Sequence, residues 1–166
     1  MTFEMFETGP PLIQAQIDAL QARLRIVLPE NYRSFLLRFN GGRPKPNFFP
    51  IEGLKGNPFG AIHYFFRIDG AIQSTNVDWN FKTYRGRIPT ELLPIAGDGS
   101  GNIICLSLAG SNTGFVYFWD HDAEHIPPSY ENLHLVSQSF DGFLGSIYYE
   151  DISDRVAEAL GKNQLH

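Results

Sequence analysis

Apolar residues recur three and four positions apart through the first forty residues, then give way to short continuous runs. That change divides the chain into helices followed by strands. Over residues 10–28, "PPLIQAQIDALQARLRIVL", Ile13, Ile17, Leu20 and Leu24 fall on one helical face. Pro10 and Pro11 suit its first turn, and Arg23 and Arg25 its last. Pro29 opens a second helix, "PENYRSFLLRF", with Tyr32, Phe35, Leu36 and Phe39 as its apolar stripe. Asn40-Gly41-Gly42 then predicts a left-handed stop.

Residues 42–60 are rich in Pro and Gly, with Phe48, Phe49 and Ile51 as short strand positions. "AIHYFFRI" from Ala61 predicts a strand, being dense in aromatic and β-branched residues. "NVDWNFKTYRG" places Val77, Phe81 and Tyr84 at helical spacing before Gly86. Strands are predicted over 93–96, 102–108 and 115–120, the last two joined by the turn "AGSNTG", with a further strand over 133–136. "SFDGFLGSIYYE" and "SDRVAEALGK" predict closing helices, each begun by a serine cap at Ser139 or Ser153. No internal repeat, low-complexity tract or linker interrupts the series. The order predicts one α+β domain over residues 1–166, a mostly antiparallel sheet flanked by N-terminal and C-terminal helices.

Composition adds a large aromatic content. Fourteen Phe, seven Tyr and two Trp among 166 residues imply a broad ring-built core or contact surface. A chain of this length removes roughly 70% of its unfolded surface from water on folding. Cys105 is the single cysteine and sits inside an apolar run, so it is expected to be a buried thiol rather than a nucleophile. Glu4 and Glu7 precede any Lys or Arg, unlike a secretory or mitochondrial leader. No apolar stretch approaches the roughly 20 residues that span a bilayer. These features predict a cytoplasmic protein without a membrane partner, and they carry no signature of an oligomeric state.

The segment "PIAGDGSGNIICLSL" raises the question of catalysis. A dinucleotide fingerprint needs G-x-G-x-x-G before a helix, but the sixth position is Asn102 or Ile104 and a strand follows. The phosphate loop's Gly-Lys-Ser/Thr is missing. A nucleophile elbow needs glycines two residues either side of its serine, and around Ser100 those places hold Asp98 and Asn102. A protease-like Gly-Asp-Ser-Gly is broken by Gly99. The remaining reading is a tight structural turn built from Gly97, Asp98, Gly99, Gly101 and Asn102, with the Asp or Asn side chain bonding backbone N–H groups.

Four segments together resemble the SUKH superfamily, which holds the Smi/Knr-type regulators and bacterial toxin-immunity proteins. "LPENYRSFLLRFNGG" is similar to its L-P-x-x-Y-x-x-F-L-x-x-x-N-G-G segment, and "LLPIAGDGSGNIICLSL" to its strand–turn–strand signature. "GFVYFWDHD" resembles its strand ending in tryptophan and acids, and "SFDGFL" its closing helix. The matched segments run from about residue 28 to 144. The resemblance implies an α+β fold without catalytic chemistry or cofactor. It also implies a role in binding a protein partner: an immunity protein neutralising a cognate secreted toxin, of which nucleases are one class. A regulatory or scaffold binding protein of the same fold is the alternative, and an uncharacterised hydrolase ranks below both.

Charge sharpens that partner. The net charge is −5, which with no basic stripe argues against nucleic acid. Residues 1–87 carry eleven basic and seven acidic side chains, whereas residues 88–154 carry ten acids and no Lys or Arg. So long a stretch without positive charge predicts an acidic face that steers a basic partner, as a toxin domain would be. Its expected centre is the loop after Trp119: Asp120, Asp122, Glu124 and Glu131, with Tyr130 as an aromatic anchor. The bland alternative is that bases from the first half fold back beside these acids. His121 and His125 stand four apart and could share a metal on a helix, but Pro127 and Pro128 predict a solvated loop, so no metal is expected.

Overall fold

The computed structural model describes residues 3–54, 56, 58–149 and 161. The helix expected from Ser153 falls, apart from Gly161, outside the described residues. The described part is α+β, as the helix-then-strand order predicts. Helix α1 (Gln14–Leu24) starts four residues after Pro10, and the Gln16 side chain accepts a bond from the Ile13 backbone N–H at 3.0 Å. Ile13 therefore caps the helix and is exposed, while Leu12, Ile17 and Leu20 are buried. Helix α2 (Glu30–Phe39) buries Tyr32, Phe35 and Leu36 and ends on Asn40 in the left-handed conformation, φ 48°.

Asn40 does more than stop a helix. Its amide donates to the Pro10 and Ile68 carbonyls at 2.8 and 3.0 Å and accepts from Ile68 N–H at 2.7 Å. One buried side chain thereby satisfies three backbone groups of two segments, which leaves little polar debt in the interior.

The main sheet is an antiparallel meander in the order β5-β6-β7-β8-β9: β5 (Tyr64–Phe65), β6 (Leu92–Gly97), β7 (Ile103–Ser107), β8 (Val116–Trp119) and β9 (Leu133–Ser137). Every residue of the three central strands is buried, so both sheet faces are covered, and the strands read as continuous apolar runs rather than alternations. Pro94 sits in this central position because the β6–β7 register shifts between Pro94 and Ala96, a bulge that removes the need for its missing N–H. One face packs on rings. Phe35 of α2 lies 4.8 Å from Phe65 and 5.2 Å from Phe140, and Phe143 lies 5.3 Å from Phe49. The other face carries Cys105, Tyr117 and Trp119 toward α3 (Val77–Thr83) and the residues just after it.

Two small ribbons complete the fold. β1 (Glu4–Phe6) pairs with β2 (Arg43–Lys45), and β3 (Phe48–Pro50) with β4 (Phe59–Ala61). The N-terminal strand has no periodic signal in three residues. The aromatic run from Ala61 is not one strand. Ala61 closes β4, Ile62 is tied to Asn47 by two hydrogen bonds, and His63 and Phe66 bond β6 on either side of Tyr64–Phe65, the part paired as β5. The run crosses between two sheets, and each portion takes a different partner. Helix α4 (Phe140–Gly145) begins at the Ser139 cap, whose Oγ accepts from Gly142 N–H at 3.0 Å. It stops five residues short of the predicted end, because Tyr148 exchanges two backbone bonds with Phe48 and is drawn into extended pairing. Among the described residues no helix is long and apolar enough to cross a membrane.

Candidate functional site

The segment from Gly97 to Asn102 joins β6 to β7, and a strand, not a helix, follows it. Asp98 organises the turn. Its Oδ1 accepts from Ser100 and Asn102 N–H at 2.7 and 3.0 Å, and its Oδ2 from the Asn102 amide at 2.7 Å. Gly99 and Gly101 have φ of 83° and 106°, conformations that side chains rarely adopt. Space is closed as well. A Cβ would meet the His63 ring at 3.2 Å from Gly99 and the His121 ring at 3.3 Å from Gly101. The Ser100 hydroxyl leans 3.4 Å from Asp98, a weak contact that activates nothing.

Because the Asn102 amide nitrogen is committed to Asp98, its Oδ1 must face the next loop. There it accepts from His121 N–H at 3.0 Å and meets His121 Nδ1 at 2.6 Å. An acceptor oxygen at that distance places the imidazole proton on Nδ1. His121 Nε2 lies 3.2 Å from Asp122 Oδ1. Asp120 caps the short 3₁₀ turn His121–Ala123 by accepting from Asp122 N–H, and its own backbone is bracketed by Asn132 through two bonds at 2.9 Å. The glycine turn is thus the mount of the acidic loop.

A second mount comes from the other half of the chain. Arg87 grips Glu124 with two bonds of 2.7 and 2.8 Å, a fork geometry that Lys lacks. Its guanidinium also lies over Tyr84 and Trp119, 4.9 and 5.4 Å from the ring centroids. The Arg87 hydrogen bond holds the Glu124 carboxyl below the usual glutamate range, against a smaller opposing effect of burial. The same bond raises Arg87. Tyr130 donates to Glu91 and packs edge-on against Tyr117 at 5.5 Å; burial first, then Glu91, pushes its phenol up. On the same sheet face, burial drives the Cys105 thiol far above its ordinary range, where no thiolate forms.

The five acidic-loop candidates therefore lie on one segment but have different duties. Asp120 caps, Glu124 is bound to Arg87 and only 24% exposed, and Tyr130 is exposed but bonded to Glu91. Asp122 and Glu131 reach solvent at 86% and 83% exposure, with His121 and His125 as their near neighbours. Ile126, 83% exposed, stands between them in sequence. His121 and His125 do not converge: the first turns to Asn102 and the second bonds Ser129 Oγ at 2.7 Å. Ligand atoms of Asp120, His121 and Asp122 lie within 4.8 Å of one another; Asp120 Oδ1 is taken by Asp122 N–H and His121 Nδ1 by Asn102, while His121 Nε2 faces Asp122. The sequence reading missed Arg87 and Asn132 as holders of the loop, the pairing of Glu91 with Tyr130, and the outward half of Asn102. Only Arg87 had a signal, as the last base before the base-free stretch.

A sequence model of the SMI1 / KNR4 family (SUKH-1) matches residues 11–146. The chain is also 26% identical over 152 residues to the SPbeta prophage-derived uncharacterized protein YokK of Bacillus subtilis (strain 168), a match covering 82% of this chain and 75% of that protein.

Proposed function

The chain belongs to the SMI1/KNR4 family (SUKH-1), a family that includes toxin immunity proteins, and from that membership we propose that it is a non-enzymatic immunity protein. It binds a basic domain of a cognate toxin, in the cytoplasm, and neutralises it by occlusion. The observation that carries this reading is the acidic loop. Asp122, Glu131 and Ile126 project into solvent from a loop that Asn102 and Arg87 hold from two sides. A preorganised loop loses little freedom on binding, and unneutralised carboxylates accelerate encounter with a cation. The prophage origin in the relative's name favours a role in conflict between cells or mobile elements.

The base-free stretch is not wholly unpartnered, since Arg87 folds back onto Glu124. Charge reversal therefore belongs at Asp122 and Glu131, whose exposed carboxylates meet only the His121 and His125 rings. In the test, the chain is co-expressed with a secreted-toxin gene adjacent to its own. The wild-type chain restores growth, whereas Asp122→Lys with Glu131→Lys loses rescue at an unchanged melting temperature. Continued rescue by that double variant overturns the acidic loop as the interface. Continued arrest with the wild-type chain overturns the immunity role.

A further inference from the structure

A further cavity lies away from the acidic loop. It is an open groove of about 590 Å³ between the β1–β2 ribbon and the crossing at Ile62–His63. Phe6, Phe48 and Tyr149 supply apolar lining, while Arg43, Lys45 and His63 supply charge or proton-donating edges. Among the described residues no carboxylate lines it. Phe6 and Arg43 are register partners, so an exposed ring and a guanidinium share one face of the ribbon. Arg43 holds Glu7 at 2.9 Å but remains 45% exposed, and Lys45 makes no ion pair among the described residues. His63 packs on Gly99, and His121 packs on Gly101. The glycine turn thus stands between this cationic groove and the acidic loop.

We propose that this groove is a docking site for an acidic, extended segment of another protein. A strand-like peptide sends alternate side chains to opposite faces. One that alternates apolar and acidic residues would set its apolar side chains on Phe6, Phe48 and Tyr149 and its carboxylates on Arg43 and Lys45. Arg and aromatic residues are the types that dominate such contacts. Nucleic acid is the poorer occupant, since three cationic or imidazole groups face a molecule of net charge −5. A second copy is poorer too: groove to acidic loop is a head-to-tail contact, not the self-complementary patch of the common two-fold dimer.

The site is separate from the acidic loop, and so is its test. A fluorescein-labelled decapeptide of alternating Glu and Phe is titrated into the full chain and followed by anisotropy, beside a Lys-for-Glu version. Expected are saturable binding of the acidic peptide alone, about tenfold weakening in Lys45→Glu, and no change in Asp122→Lys with Glu131→Lys. Both variants alter exposed side chains and should keep the wild-type melting temperature. Equal binding of the two peptides, or indifference to Lys45→Glu, overturns the proposal. So does concentration-dependent self-association abolished by Lys45→Glu without peptide binding, which would assign the groove to a second copy. Binding that emerges only after Asp151→Asn with Asp154→Asn would likewise overturn it, assigning the groove to the chain's own acidic residues.

Discussion

At the residue scale, two side chains set the position of the acidic loop. Asn102 is fully committed, with one end on Asp98 and the other on His121. Asn102→Ala leaves a part-buried edge of that network unsatisfied and should cost about 1–2 kcal/mol in urea unfolding. Ser100→Ala, removing only the 3.4 Å contact, should stay within about 0.5 kcal/mol. If the two variants unfold alike, the mount lies elsewhere. Glu124 offers a test in pH. Its carboxyl titrates lower in the folded chain than in the unfolded one, so its pairing stabilises above the ordinary glutamate range and is lost as pH falls through the lowered value. Glu124→Gln should therefore be less stable than wild type at pH 7, by up to about 1 kcal/mol for a partly exposed pair. The gap should close in acid, and a constant gap across the titration would assign the loss to packing instead. The candidate site was only half readable at this scale. Asp122 and Glu131 were found from charge runs, but Arg87 is 37 positions from Glu124, and no local pattern links them.

At the element scale, periodicity and caps located the helices well. Asn40, Ser139 and the stripe of Tyr32, Phe35 and Leu36 all act within one or two turns of chain, where local sequence carries the physics. Phe35 shows what the stripe then buries, since its ring meets Tyr32, Phe39, Phe65 and Phe140. Phe35→Ala should cost about 3–5 kcal/mol by chemical denaturation, and a melting temperature that barely moved would contradict the packing described. Strand limits were less readable. The run from Ala61 to Ile68 is uniformly β-prone, so nothing in it marks where one sheet hands over to another. The bond of Ile62 to Asn47 and that of Phe66 to Ile95 make the division.

At the scale of the whole molecule, charge is separated. Acids without local bases fill one stretch, and a cationic groove lies beyond the glycine turn from their exposed loop. Concentrating like charge is a cost accepted for binding, and relieving it should stabilise. Asp122→Asn with Glu131→Gln should raise the urea midpoint slightly at low salt and pH 8, and added salt should shrink the gain. Any destabilisation of that variant at low salt would mean that these carboxylates hold structure rather than wait for a partner.

The sequence by itself determined the α+β class, the two opening helices, the run of central strands, the α4 cap and the acidic character of the loop. Each depends on residues close together in the chain, or on counts alone. Tertiary structure decided which acids remain free, because Arg87 and Asn102 reach the loop across the fold. It also decided that residues as distant as Phe6, Lys45, His63 and Tyr149 line one groove, which no one-dimensional pattern contains: their proximity arises only when the β1–β2 ribbon folds beside the crossing at Ile62 and His63.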